Sequence, residues 1–319
     1  ALSLAIGIRT AVQTVTARRL GQGLYKESGM ALRNGLALAT LYSLPTSFFV
    51  WKYSDSLARF FIEDPSATPL TTDYVSIVFT GLLFSSYSFV FQGFFTGIEK
   101  TKIHMKVTIV SNVLNVYLNA GLIYGSSGVQ EFFNEQLSIL SFLSYLWTWA
   151  NFPALGVKGA AIGTLISSFW MAAHYAVSLL SKQTSKRYSV FRFSFDKEMM
   201  KRQVQLALPQ GLQESVIALG WGVFYKIVGI IGLIELATTE LLFTIMHASF
   251  MPAMGVGQAC STLVSKYMGQ GRINKSETSI RESVRIAEYI MAPMGLTFIL
   301  FPEFYLHIFT DDLKIINMG

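Results

Sequence analysis

Eight apolar stretches follow one another along the chain, each bounded by a polar or charged break. They cover residues 1–17, 30–53, 74–97, 107–125, 157–180, 204–232, 236–264 and 287–308. Crossing a bilayer takes roughly 20 apolar residues in a helix, and most of these stretches reach or approach that length. The pattern predicts an all-α, polytopic membrane protein. Residues 129–151 break the rhythm with an aromatic-rich run containing Phe132, Phe133, Phe142, Tyr145, Trp147 and Trp149. Aromatic residues of this kind gather at membrane interfaces, so the run is expected to be an interfacial helix and not a ninth crossing.

The pattern repeats. Residues 7–64 align without a gap on residues 255–312, matching Gly7/Gly255, Ala11/Ala259, Thr14/Thr262, Gly21/Gly269, Gln22/Gln270, Gly23/Gly271, Pro45/Pro293 and Asp64/Asp312, among others. Each copy runs apolar segment, basic glycine turn, apolar segment with a central proline, acidic loop. Long internal repeats in apolar chains are typical of transporters, whose sites lie between the copies. Six crossings separate the copies, so they point the same way, related by an axis along the membrane normal. This predicts two side-by-side lobes with a cleft between them: 1–181, a basic linker 182–202, and 203–319. Completing the repeat would take one more helix before the first segment and about three after the last, giving twelve in two lobes of six.

Charge supports this topology. Only 14% of residues are charged and 52% are hydrophobic, against about 25% charge in a soluble domain. Of the 25 Lys and Arg residues, 19 fall in the four alternate loops after the first, third, fifth and seventh segments or, for Arg33, within a turn of one. The opposite loops carry mainly acidic residues. Basic loops mark the cytoplasmic side, so the net charge of +6 is topological and nucleic acid is not an expected partner. The single cysteine, Cys260, allows no intrachain disulfide. No nucleophile–base pair, metal-ligand set or phosphate loop stands out, so an enzyme is not expected. The LGQG and MGQG turns lack the lysine and spacing of a nucleotide loop, and no bound cofactor is expected.

Several polar residues lie inside apolar segments. Asn112, Asn115 and Asn119 recur at i, i+3 and i+7, which places them on one helix face. Three carboxamides turned to lipid would be costly, so the face should meet protein or water. Interhelical hydrogen bonding alone would satisfy them. Glu214 falls near mid-membrane, where a carboxylate must be protonated, paired or beside water. It is a candidate for exchanging a proton or sodium ion against a cationic cargo, with pairing to Arg9 or Lys226 as the structural alternative. Glu240 sits just inside the seventh segment and is a second candidate, whereas Glu235 is expected to be solvated. His174 and His247 read as packing residues. Pro45, Pro209, Pro252 and Pro293 each remove a backbone hydrogen bond and favour kinks.

At these residues the chain resembles the multidrug and toxic compound extrusion (MATE) transporters. AIGIRTAVQTVTARRLGQG (5–23) is similar to the family's second helix, and FMPAMGVGQACSTLVSKYMGQG (250–271) to its eighth. VLNVYLNAGLIYG (113–125), FPALGVKGAAIGT (152–164) and LALPQGLQESV (206–216) resemble the fifth, sixth and seventh. The resemblance implies twelve helices in two pseudo-symmetric lobes in the cell membrane. It implies a monomeric exporter of amphipathic, often cationic small molecules in exchange for H+ or Na+. It places Asn115, Asn119 and Thr164 at a polar site of the first lobe, where the residue matching Asn119 is often aspartate. Arg9 stands where the family usually has a small residue, and the run 126–151 is longer than the usual loop. The alternative cargo is a lipid-linked oligosaccharide, which would call for a cleft rich in Arg and Lys. A non-transporting scaffold or receptor is the alternative of another class; it would not need polar groups at mid-depth in both halves.

Overall fold

The computed structural model describes residues 2–61, 67–136, 138–192, 194–310 and 316. The acidic ends of the repeat, Asp64 and Asp312, lie outside them. Among the described residues all regular structure is helical. The elements are α1 (Leu2–Gly21), α2 (Tyr25–Lys52), α3 (Ser54–Phe61), α4 (Thr68–Thr80), α5 (Leu82–Gly97), α6 (Thr101–Gln136), α7 (Tyr145–Thr148), α8 (Val157–Leu179), α9 (Lys182–Tyr188), α10 (Lys197–Ile231), α11 (Leu233–Gly269), α12 (Ile273–Leu300) and α13 (Pro302–His307).

Four helices, α6, α8, α10 and α12, are long and apolar enough to cross a membrane by themselves, and the bent pair α4–α5 makes a fifth such span. The first, second and seventh apolar segments form α1, α2 and α11, of 20, 28 and 37 residues. These carry more polar side chains. α1 shows why that is tolerable: it is wrapped by α2, α5, α10 and α11, so Arg9, Gln13 and Thr16 face protein and need not face lipid. Outward-facing apolar side chains such as Leu219, Ile230 and Ile299, each at least 70% exposed, suit hydrocarbon surroundings.

The third apolar segment is not one straight helix. It divides at Gly81 into α4 and α5, bent by 44°. Ser47 Oγ donates to Phe79 O at 2.7 Å beside the bend, giving a carbonyl near the bend a partner. The helices carrying Pro45, Pro209, Pro252 and Pro293 continue past each proline.

The aromatic run is also not a single interfacial helix. α6 changes course at Gly125, whose φ of 74° and ψ of 167° are non-helical and lie in a region essentially restricted to glycine. Beyond it the chain continues to Gln136, then forms a 3-10 turn at Ser138–Ser144 and the short α7. Trp147 pins these pieces back onto α6: its Nε1 donates to Tyr117 O at 2.8 Å, and its carbonyl accepts from Ser126 Oγ at 2.6 Å. Phe142, Tyr145 and Trp149 remain exposed, as an interfacial aromatic surface requires. The pieces are too short to cross, so the charge alternation survives.

The main core lies in the first half, where Leu32, Val90, Phe91, Phe94, Phe95, Val107 and Tyr175 pack between α2, α5, α6 and α8. The basic linker is bound to this half. Arg33 donates from Nε to Ser194 O, from one terminal nitrogen to Ser189 O and from the other to Ser194 Oγ. Asn34 Nδ2 donates to Asp196 O. Tyr188 is buried against Tyr25 and Phe94, and burial pushes its phenol above the usual range. Asp196 then caps α10 by accepting from Met199 N at 3.0 Å. α10 therefore starts at Lys197, and the expected boundary at 202/203 falls inside it. Its buried residues Met199, Gln203, Ala207 and Gly211 recur every fourth position. They form one stripe against the first half, where Gln203 Nε2 donates to Ala31 O at 2.8 Å.

Candidate functional site

Among the described residues, polar side chains gather at several places along the helices. At the seam between the halves, Glu214 stands at the middle of the 35-residue α10. Gln210 Nε2, one turn earlier, donates to Glu214 Oε1 at 3.2 Å. Arg9 of α1 lies within electrostatic range of Glu214. Among the described residues no ion pair joins them. Arg9 Nε is buried without a hydrogen-bond partner, and the guanidinium lies 6.0 Å from the Phe89 ring. The guanidinium and the carboxyl group thus lie across the seam from each other without forming an ion pair.

The asparagines of α6 separate. Asn119 Nδ2 donates to Asn115 Oδ1 at 3.1 Å, and Asn115 Nδ2 approaches Ser167 Oγ of α8 at 3.4 Å. Asn119 Oδ1 is buried and has no donor; it faces Gly163, where a Cβ would collide with it. Thr164, the next residue, spends its hydroxyl on Ala160 O within its own helix. Asn112 is exposed and does not join the group. The shared helix face predicted from spacing therefore turns two of its three carboxamides inward.

Glu240 lies elsewhere again. It is exposed and lines an open groove of about 580 Å³ between α10 and α11, with Trp221, Tyr225, Phe243, Met246 and His247. Trp221 and Phe243 meet edge to face at 4.5 Å, and Tyr225 lies 5.9 Å from Phe243. An aromatic wall with one carboxylate attracts an apolar cation twice over, through ring quadrupoles and through charge. The six residues read from sequence therefore divide among the Asn115–Asn119 pair with neighbouring Thr164, the seam at Glu214, the groove at Glu240, and the surface at Asn112.

A further polar set was not read from sequence. His104 accepts at Nε2 from Gln92 Nε2 at 3.0 Å, which leaves its Nδ1–H to meet Tyr175 Oη at 2.6 Å. Thr108 Oγ1 is 3.2 Å from the same Nδ1. With Arg9 and Ser88 these residues line a cavity of about 440 Å³ in the first half. The i, i+4 spacing of His104 and Thr108 was visible. Tyr175 is 71 residues away from His104, and only tertiary structure joins them.

A bundle of long apolar helices built on an internal repeat, with polar groups along its seam, defines the class of polytopic helical membrane proteins. The chain is a member of the MatE family, whose model matches residues 1–120 and 218–319, and it is a multi-pass membrane protein. It is 27% identical over 250 residues to the Thermotoga maritima protein named "Probable multidrug resistance protein NorM", covering 77% of this chain and 48% of that one. An Agrobacterium fabrum protein of the same name is 25% identical, over 96% of this chain and 61% of its own. The chain thus spans about half to three-fifths of these relatives. The fold matches a structure described as the outward-facing conformation of a multidrug resistance MATE family transporter, with a TM-score of 0.81 and 20% identity, over 99% of this chain and 65% of the other. A structure described as MATE in the bent conformation matches with a TM-score of 0.79 and 20% identity, over 99% and 65%.

Proposed function

We propose that the protein is a secondary active multidrug exporter that moves amphipathic organic cations by alternating access, exchanging them for H+ or Na+. The observation that carries this reading is the open aromatic groove beside Glu240. Trp221, Tyr225 and Phe243 offer loose, sequence-independent contact to many ring systems, and Met246 adds an adaptable wall. Glu240 supplies the preference for positive charge. Glu214, held apart from Arg9 at the middle of α10, and the unsatisfied Asn119 Oδ1 are the groups that would bind the coupling ion. The names of the curated relatives support the same reading. The cell membrane is the place of action, small molecules are the partners, and no chemical bond is made or broken.

Proteoliposomes with the full-length protein, a fluorescent organic cation inside or outside, and proton and sodium gradients imposed separately test the proposal. Dye flux should follow one of the two gradients. Glu240→Gln should raise the apparent KM for a cationic dye by roughly two- to fivefold while leaving a neutral dye unaffected, the scale of an exposed cation–carboxylate contact. Flux indifferent to both gradients would remove the exchange mechanism.

A further inference from the structure

The two glycine turns that repeat in the sequence meet at the seam, and each presses on the other copy. A Cβ placed on Gly21 would collide with the Lys266 carbonyl oxygen, and one on Gly269 with the Arg18 carbonyl oxygen. Gly21 and Gly269 are repeat mates, and so are Arg18 and Lys266. The contact is therefore reciprocal, as between like surfaces related by a twofold axis. One to two turns deeper, Gln13 Nε2 donates to both Gln258 O and Thr262 Oγ1 at 2.9 Å. On the basic face, Lys266 Nζ binds both carboxylate oxygens of Glu99, at 2.7 and 2.8 Å.

The backbone at Glu99 adds an independent observation. Its φ is +62°, the left-handed conformation in which a helix commonly ends on glycine. Its N–H bonds to Thr96 O, and the next N–H bonds to Phe95 O, closing off α5. A glutamate thus occupies a position that favours glycine, and its carboxylate reaches from the first half to Lys266 in the second. Strain of this kind persists where surrounding contacts fix it, and it gathers at switches.

We propose that Gly21, Gly269 and the Glu99–Lys266 pair form a latch that holds the two halves together at the basic face. The latch rests on the alternating-access reading above, and it names the residues that close one of the two gates. To open that face, the ends of α1 and α11 must part, which breaks the glycine contacts and the ion pair together. The pair is part-exposed, at 24% and 39% of its side-chain surfaces, so added salt weakens it.

The test uses full-length protein with its cysteines, Cys260 included, replaced by serine and spin labels placed at Lys26→Cys and Asn274→Cys. These exposed repeat mates sit at the starts of α2 and α12. Pulsed electron spin distances are read without cargo or gradient. Glu99→Gly relieves the backbone, so it should keep or raise the melting temperature. It should also raise the ratio of long to short distances about two- to fivefold, the scale of a part-exposed ion pair. A merely structural cap would raise stability and leave the distances alone. The charge swap of Glu99→Lys with Lys266→Glu should restore the short distance. Gly269→Val should lengthen it further; if that variant does not fold, Glu99→Gly carries the test. Folded Glu99→Gly protein with an unchanged distribution would overturn the latch. Failure to export dye alongside a latch that opens on mutation would count against the transport reading alone.

Discussion

Arg33 fixes a linker with one side chain. Its three donors hold Ser189 O, Ser194 O and Ser194 Oγ, a fan that only a guanidinium presents. Arg33→Ala should lower stability by about 2 kcal/mol, the scale of losing charged hydrogen bonds in a part-buried site. It should also speed tryptic cleavage at the exposed Arg192. Arg33→Lys keeps the charge but not the fan and should recover less than half of the loss. Thermal melting and a cleavage time course check both statements. The charge of Arg33 was legible in the sequence only as topology, because its partners lie more than 150 positions away. The same limit applies to Asn112, Asn115 and Asn119. Spacing placed them on one helix face, but which end of that face α8 covers depends on packing. Glu214 was expected near mid-membrane and lies at the middle of α10; that it stays apart from Arg9 could not be read from either residue alone.

At the scale of elements, the lengths of the apolar runs located the long helices among the described residues, because a helix in lipid must satisfy its backbone internally and the apolar run records its length. Breaks were harder to read. Gly81 and Gly125 are two glycines among 25, and nothing local separates a glycine that breaks a helix from one that lets two helices touch. Gly125→Ala tests the distinction. A Cβ there would be strained by the positive φ and would sit 3.1 Å from Ala154. The substitution should cost about 1–3 kcal/mol, seen as a lower melting temperature. It should also free the aromatic run, seen as weaker protection of the Trp147 indole N–H from exchange. Unchanged melting would show that the turn is set by Trp147 and Ser126 and not by the glycine.

For the whole molecule, the repeat and the alternation of basic and acidic loops predicted two like-oriented halves, and the glycine turns of the two copies meet reciprocally. The depth of the contact was not legible, since identical residues in two copies do not say whether the copies touch. Orientation has a direct test. Cysteines introduced at Lys102 and Lys197 should react with an impermeant thiol reagent only from the cytoplasmic side, and one at Glu131 only from outside. The reverse labelling would invert the topology and move the latch to the outer gate.

The docked linker has a mechanical consequence. A strap stitched to one body along its length has no slack, so the start of α10 must keep its place beside α2 whichever way the bundle faces. If the halves part as proposed, the anchored linker stays with the first half, and the portion of α10 free to follow the second half begins beyond its buried stripe at Met199–Gly211, taking in Glu214 and the aromatic groove.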